Sequence, residues 1–495
     1  MSKKYILLLS IFFICTLPLS AQKQQLRMTL DEAIETARDQ SPAALVAKHY
    51  FLASYWQFRT YKAQFLPSLN LEASLGQYNR SLLPLQNAET GEINYIKNNN
   101  LRNNLTLSID QNIALTGGTF SVFTSLNRLD QFSPNNYVTY NSQPINITYS
   151  QPLRAYNSLK WEKKTEPKKY ENAKRNYLES MEDVTIAVTT LFFEVLSAQQ
   201  KLELAIKNYQ NTETLYKIAQ ERFKIGSVSK SDLLQLRLRM LNDNLAISDN
   251  QLTLETKMLS IRTYLGFNEN VDIQLVLPKS GPDITLDFTE VLEKAYANSS
   301  FLLDNELLLL SAKQEVARAK ATTGLQANLY AQFGLTQKGN DLALAYKNPM
   351  DQEIIGLVLS LPIIDWGLGK GKIKVAKSRE EVIRTQTEQA YSQYRQDVLI
   401  KVMQFNKQSF QCAVSAEADS IALQRYEITK ERFINGTIGV MDINTAQSEK
   451  DQAAGRYISD LSNYWKYYYN IRKLSLYDYI NGKDLSAEFD KMVEK

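Results

Sequence analysis

The sequence predicts a mainly α fold with a β component, built as two internal repeats. Three observations carry this reading. Gln220 to Met240 (QERFKIGSVSKSDLLQLRLRM) returns as Lys430 to Lys450 (KERFINGTIGVMDINTAQSEK), so that Glu221/Glu431, Arg222/Arg432, Phe223/Phe433, Gly226/Gly436 and Asp232/Asp442 coincide at one offset of 210 residues. The segments flanking the first copy hold apolar rows at seven-residue spacing, the seam of long packed helices, while the second copy is looser, with Ala446, Ala453, Ser448, Gly455 and Ser462 allowing close approach. Between the helices the period switches to two, as in strands with one apolar and one polar face. In each copy of the duplicated stretch a helical pattern stops at Gly226 or Gly436. Another opens at Asp232-Leu233 or Asp442-Ile443. Glycine can take the left-handed conformation that ends a helix, and a carboxylate in the next first turn complements the positive helix N-terminus, so each copy is a helix hairpin.

Composition excludes several classes of function. The 495 residues are 44% hydrophobic, ample for a core, and the net charge of +4 with both signs interspersed gives no sign of a nucleic-acid partner. The sole histidine, His49, reads as a structural residue on a buried face. Cys412 is the only cysteine after the leader, so no disulfide, His/Cys metal cluster or catalytic constellation is expected, and neither an enzyme nor a cofactor is indicated. Tyrosine, at 28, is the excess.

Residues 1–21 read as a signal peptide: Lys3 and Lys4, an apolar run from Tyr5 to Leu17, then Pro18-Leu19-Ser20-Ala21. Cys15 raises a lipoprotein as the alternative, but Phe12-Phe13-Ile14 lacks the small residues such a site needs. No later stretch reaches about 18 apolar residues, so membrane entry would require a β-barrel. The first repeat spans 22–266, a linker 267–286, the second repeat 287–476, and a C-terminal tail 477–495.

A helix from Thr29 to about Phe65 opens on a capping box, Thr29 with Glu32, and Asp287 with Glu290 echoes it 258 residues on. By Ser150-Gln151-Pro152-Leu153 against Ser360-Leu361-Pro362-Ile363 the offset has fallen to 210, so the first repeat holds about 48 extra residues between Gly76 and Ser150. Leu325, Ala327, Leu329, Ala331, Phe333 and Leu335 alternate with polar neighbours, as do 69–75 and 105–115. Segments of about ten residues with two unlike faces are the signature of transmembrane barrel strands, and also of a soluble sandwich. The leader and tyrosines such as Tyr78, Tyr95, Tyr137, Tyr140 and Tyr149 favour the barrel. Strands are expected at 67–80, 103–115, 119–128 and 143–151, then 325–337 and 354–361. The extra residues read as one hairpin around Thr116-Gly117-Gly118, which either joins the sheet or extends an outer loop.

Long helix hairpins follow, about 159–266 and 368–476. Met181, Val188, Val195, Leu202, Tyr209, Tyr216 and Phe223 keep one heptad row. The next helix has two: Leu238, Leu245, Leu252 and Leu259, and Leu233, Met240, Ile247, Leu254 and Ile261. Rows on nearly opposite flanks suit a wall of helices curved into a tube. Gly367-Leu368-Gly369-Lys370-Gly371-Lys372 fits neither a dinucleotide fingerprint nor a P-loop, since Ile373 replaces the required Ser or Thr, and reads as a flexible strand-to-helix joint.

Two copies of helix, strand pair, Pro-containing joint, long helix, R-F-x-x-G-x-x-x-x-x-D turn and long helix resemble the outer-membrane efflux protein family typified by TolC. The specific matches are both turns, Arg222 to Asp232 and Arg432 to Asp442, and Pro362-Ile363-Ile364-Asp365-Trp366-Gly367; the first joint, Pro152 to Asn157, lacks the glycine. The resemblance implies a homotrimer whose long antiparallel coiled-coil helices form an α-barrel joined to a transmembrane β-barrel in outer-membrane lipid. It implies a periplasmic adaptor and an inner-membrane efflux transporter as partners. It also places Arg222, Phe223, Gly226, Asp232, Leu233, Arg432, Phe433, Gly436, Asp442 and Ile443 at the periplasmic tip where the adaptor docks. The function so implied is passive export in efflux or type I secretion. A non-transporting periplasmic coiled-coil scaffold or adaptor is the alternative that the heptads leave open.

Overall fold

The computed structural model describes residues 24–86, 88–267, 271–278, 281–282 and 284–493. The expected signal peptide lies outside the described residues, as does Cys15. The elements of the first half are β1 (Gln24–Met28), α1 (Leu30–Gln40), α2 (Pro42–Ala63), β2 (Ser68–Gln86), β3 (Ile93–Ile113), β4 (Gly118–Ser133), β5 (Tyr137–Arg154), α3 (Ser158–Lys224) and α4 (Lys230–Leu265). Then come β6 (Val271–Leu275), α5 (Phe288–Asn298), α6 (Phe301–Ala321), β7 (Gln326–Gly339), β8 (Met350–Ser360), α7 (Leu368–Ile434) and α8 (Val440–Ser475). Short strands β9 (Tyr477–Asp478) and β10 (Lys483–Asp484) and helix α9 (Phe489–Val493) end the chain. Two compact units form: one from residues up to Phe51, Arg175–Ser299 and Gln393 onward, the other from Leu52–Lys174 and Ser300–Ser392.

Both long helices have 67 residues and both of their return helices have 36. At 1.5 Å per residue, α3 is roughly 100 Å long. The single helix expected from Thr29 to Phe65 is instead two. Pro42 disfavours helical backbone at Ser41, which is extended at ψ 145°, and Ser299 breaks α5 from α6 in the same conformation at ψ 164°. The capping box forms as expected: Thr29 Oγ1 accepts from the Glu32 N–H, and Glu32 Oε2 accepts from the Thr29 N–H at 2.8 Å. The stretch 267–286, expected as a linker, contributes β6, which pairs in parallel with β1 from Gln24↔Val271 to Met28↔Leu275.

In the unit containing the strands, six antiparallel strands form one sheet in the order β2-β3-β4-β5-β7-β8. The extra hairpin, β3–β4, is thus a full member of the sheet, paired from Asn99↔Ser133 to Ile113↔Gly118. Two strands start earlier than expected, β3 at Ile93 and β5 at Tyr137. The asparagines at 98–100 and 103–104 depress β-propensity, and cross-strand pairing overrides it. Pro152, expected beyond the strand, lies inside β5 opposite Asn328. Register puts Leu69 and Leu71, Leu105, Leu107 and Ile109, Phe120 and Val122, Ile147, Leu329, Ala331 and Phe333, and Ile355, Leu357 and Leu359 on one face. Nearly all are large and exposed. The other face carries Asn70, Glu72, Thr106, Ser108, Asp110, Ser121, Thr148, Asn328 and Gln332.

The core of the other unit is built from α1, α3, α4, β6, α5, α7 and α8 around Val188, Phe192, Val195, Ile261, Leu265, Phe405, Leu461 and Tyr464. His49 is exposed, not on a buried face. Within this core, Glu182 is fully buried, and Arg472 reaches it twice, Nε to Oε2 at 2.7 Å and Nη2 to Oε1 at 2.8 Å, with Arg38 Nη1 at 3.4 Å. Arg472 also donates to Asp478, which accepts from the Tyr468 hydroxyl at 2.7 Å, from the Ile480 and Asn481 N–H groups, and from Asn481 Nδ2. Burial alone would raise the Asp478 carboxyl, but the hydrogen bonds from Tyr468 and Asn481 and the charge of Arg472 outweigh it and hold it below the ordinary value.

Two outcomes are expected here. Glu182→Leu leaves two arginines facing an apolar wall and should lower stability by about 3–5 kcal/mol, read as an earlier loss of helical circular dichroism on heating. Asp478, with its folded value lowered, contributes stability that is complete above about pH 4 and lost as pH falls through the lower folded value. The melting-temperature gap between wild type and Asp478→Asn should therefore be constant near neutrality and shrink in acid.

Candidate functional site

Gly226 and Gly436 both adopt the left-handed conformation, φ +77° and +79°. Each ends its helix with the same pair of bonds: Ser227 N–H to Arg222 O at 2.9 Å and Gly226 N–H to Phe223 O at 3.0 Å, against Thr437 N–H to Arg432 O and Gly436 N–H to Phe433 O, both at 3.0 Å. The return helices start at Lys230 and Val440, with the expected aspartates in their first turns. Ser229 Oγ accepts from the Asp232 N–H at 3.1 Å, whereas Gly439, lacking a side chain, donates its own N–H to Asp442 Oδ2 at 3.1 Å.

The backbones match, but the side chains do not. Phe433 is 2% exposed and Ile443 fully buried, in a cluster with Leu215, Ala219, Leu236, Tyr426, Val440 and Ala446, with Leu233 at its edge. Phe223, the counterpart of Phe433, is 41% exposed. Arg222 joins the two turns: Nη1 donates to the Phe433 carbonyl at 2.9 Å, Nη2 to the Ile434 carbonyl, and the guanidinium lies 5.8 Å from the Phe433 ring centre. Those carbonyls close α7, where helices leave acceptors unsatisfied and the dipole is negative, so a cation from the other hairpin meets both needs. Arg432 is exposed. Of the residues expected at the tip, Arg222, Phe433, Gly436, Leu233 and Ile443 are brought together, while Phe223, Gly226 and Arg432 face outward.

Polar groups that no motif marked lie along the same helices. Lys450, buried, donates to Asn208 Oδ1 at 3.1 Å, Asn208 Nδ2 donates to Asp451 at 2.7 Å, and Thr212 donates to Asp243 at 2.7 Å. Burial pushes the nearby Tyr426 phenol up to about 12. The only sequence signal was polarity beside a heptad row. Among the described residues no group of three His, Cys, Asp or Glu could hold a metal, and no helix is long and apolar enough to cross a membrane.

The joints are separate from the tip. Gly367, at φ +86°, follows Pro362 in a turn that Asp365 closes by accepting from the Gly367 N–H at 3.0 Å and the Gly369 N–H at 2.9 Å. The joint is therefore a capped turn rather than a flexible one. The bonds from Gly369 and Gly367 hold the Asp365 carboxyl below the ordinary value and occupy N–H groups that a phosphate would need. The first joint, lacking the glycine, uses Asn157: its Oδ1 caps α3 at the Lys160 N–H, and its Nδ2 donates to the Ala114 carbonyl in the turn of the extra hairpin.

A family model described as outer membrane efflux protein matches residues 33–267. No curated protein matches the chain. Solved structures with the same fold include the CmeC outer membrane channel of Campylobacter jejuni, 17% identical, covering 94% of this chain and 88% of that one at a TM-score of 0.64. The outer membrane protein VceC of Vibrio cholerae is 13% identical over 90% and 95%, TM-score 0.62, and the MtrE outer membrane channel of Neisseria gonorrhoeae 15% over 92% and 91%, TM-score 0.59. The resemblance to the outer membrane efflux protein family is borne out by this match, whose span includes the first turn, and by the shared fold.

The turn geometry predicts unequal effects. Both glycines are at a backbone conformation that costs a Cβ about 1–2 kcal/mol. An added Cβ at Gly226 meets open space, whereas at Gly436 it comes within 3.1 Å of Arg222 Nη2. Gly436→Val should therefore lower stability more than Gly226→Val, and Gly226→Asn should be nearly silent. The order of thermal unfolding midpoints, read by helical circular dichroism, checks this.

Proposed function

We propose that the chain is the outer-membrane exit duct of a tripartite efflux or type I secretion system. In this reading three copies pass substrates outward without covalent chemistry, while a periplasmic adaptor and an inner-membrane transporter supply selection and energy. The observation that carries the reading is the sheet: six strands expose one mainly apolar face, and the opposite face is mainly polar, with Ile354 and Val358 as apolar exceptions. Such a face fits lipid on one side and a water-filled lumen on the other. A non-transporting scaffold would give that face nothing to do.

The strand register supports closure into a ring of three. β2 ascends and β8 descends, so head-to-tail pairing of neighbouring copies is antiparallel throughout. Followed across the sheet, the rung at Ser68 passes through Asp110, Ser121, Thr148 and Gln332 to Ile354, six residues short of Ser360 at the end of β8. Closing with strand ends level thus offsets each copy by six residues and the ring by about 18, equal to its strand number. That ratio corresponds to a strand tilt of about 36°, within the usual range for barrels. The ring would be wider than the family's usual four strands per chain give, and 18 strands leave an aqueous channel.

The long helices have matching needs. Leu238, Leu245, Leu252 and Leu259 on α4 remain exposed, as do Val414, Ile421 and Ile428 at heptad spacing on α7. Two unlike apolar rows on one chain suit head-to-tail contact between copies. At the tip, Phe223, Ile225, Ile434 and Met441 are exposed and suit an adaptor. Cysteine labelling from 105 to 126 tests the duct. Positions on the apolar face should react with lipid-soluble reagents and their neighbours with water-soluble ones; uniform water access would remove the hairpin from the barrel and leave the narrower ring.

A further inference from the structure

With Ser68 level with Ser360, Tyr78 stands opposite Met350, so β2 outruns β8 by residues 79–86. These pair with β3 from Asn79↔Asn100 to Gln86↔Ile93, while β4 has ended at Ser133 opposite Asn99. From Ser81↔Asn98 onward only two strands remain, and at about 3.4 Å per residue this arm projects roughly 20 Å past the rest of the sheet. A bulge between Ser74 and Gln77 precedes it in β2, where Gly76, at φ +70°, donates its N–H to Asn103 Oδ1 at 2.8 Å.

We propose that this arm reaches over the seam and packs on the β7–β8 loop of the neighbouring copy, clasping the outer rim of the ring. The proposal rests on the ring closure described above. A hairpin alone in water is marginally stable, and this one exposes Leu82, Leu83, Leu85 and Tyr95, spread over both of its faces. Pro84 offers no N–H to an incoming strand, so the arm contacts its partner through side chains and not by sheet extension.

The matching surface lies at the same end of the sheet on its other edge. The loop 340–349 and the head of β8 expose Leu342, Leu344, Tyr346 and Met350. The loop is nonetheless held firmly. The Leu344 N–H donates to Asp341 Oδ1 at 2.8 Å, Gln337 Nε2 donates to the Lys347 and Asn348 carbonyls at 2.9 and 2.7 Å, and the Ser142 hydroxyl donates to the Ala345 carbonyl. A fixed loop with apolar groups turned outward is preorganised for a partner. Within one copy the two patches lie at opposite edges of a six-stranded sheet; head-to-tail closure sets them side by side.

Paired cysteines in a Cys412→Ala background separate the clasp from the ring. Leu71→Cys with Leu357→Cys reports the seam, and Leu82→Cys with Tyr346→Cys reports the clasp, each oxidised in outer-membrane fractions and run without reductant. The clasp predicts inter-copy ladders up to a trimer for both pairs. A seam ladder without a clasp ladder overturns the clasp and leaves the ring standing; absence of both removes the ring and the clasp with it. Leu82→Cys alone forming dimers would show arm meeting arm, which also overturns the proposal. In a second test, joining Asn79 to Asn100 through an Asn-Gly turn should preserve the seam ladder but lower the temperature at which the oligomer dissociates in detergent. An unchanged temperature overturns the clasp.

Discussion

The Glu182 carboxylate, buried to zero exposure on a 67-residue helix, constrains everything packed around it. Such a group is tolerated only where its charge is matched and its lone pairs are filled. Here Arg472 on α8 and Arg38 on α1 do so, and Arg472 in turn depends on Asp478 beyond α8. Heptad seams alone permit slippage by whole turns, since every apolar rung resembles the next. A buried ion network does not, because shifting α3 or α8 by one turn would strand several charges in the core. The bends of the chain end are tied to the same point, as Asp478 collects the backbone N–H groups of Ile480 and Asn481.

The two halves share a backbone plan and then diverge where one half must serve the other. The turns at Gly226 and Gly436 superpose in dihedral angle and hydrogen bonding, yet only Arg222 caps the neighbouring helix and only Phe433 is buried. The joints diverge in the same manner. Gly367 permits a tight turn capped by Asp365, while Asn157 at the corresponding place caps its helix and also holds the turn of the inserted hairpin. The insertion and the asparagine thus belong together. A glycine at 157 would leave the Ala114 carbonyl without that donor.

The sheet extends the same logic to backbone groups. Strands in hydrocarbon must pair every N–H and C=O, so an open sheet with edges β2 and β8 is incomplete in a membrane until another chain meets it. An inserted hairpin preserves the requirement, because two further strands return the chain to the side it left. Width can therefore change by whole hairpins without disturbing the long helices that follow.

What the sequence determined by itself is local and periodic. The glycine stops and aspartate starts of the turns, the Thr29–Glu32 box, the heptad rows and the two-residue alternation all depend on residues within about one turn or one strand of each other, and each appears where its pattern placed it. Even the break at Ser41-Pro42 was written locally, in the proline, though the long apolar pattern masked it. Only the tertiary structure decided the rest. The asparagines of 97–104 form strand because β2 and β4 pair with them on either side. Residues 271–275 form strand because β1, 247 residues earlier, lies alongside. Arg222 reads in sequence as one more helical cation, and its role exists only because the Phe433 carbonyl, 211 residues away, ends a helix beside it. Pairings across such distances have no signature in one sequence, because the chain encodes each partner's chemistry but not the folding that brings the two together.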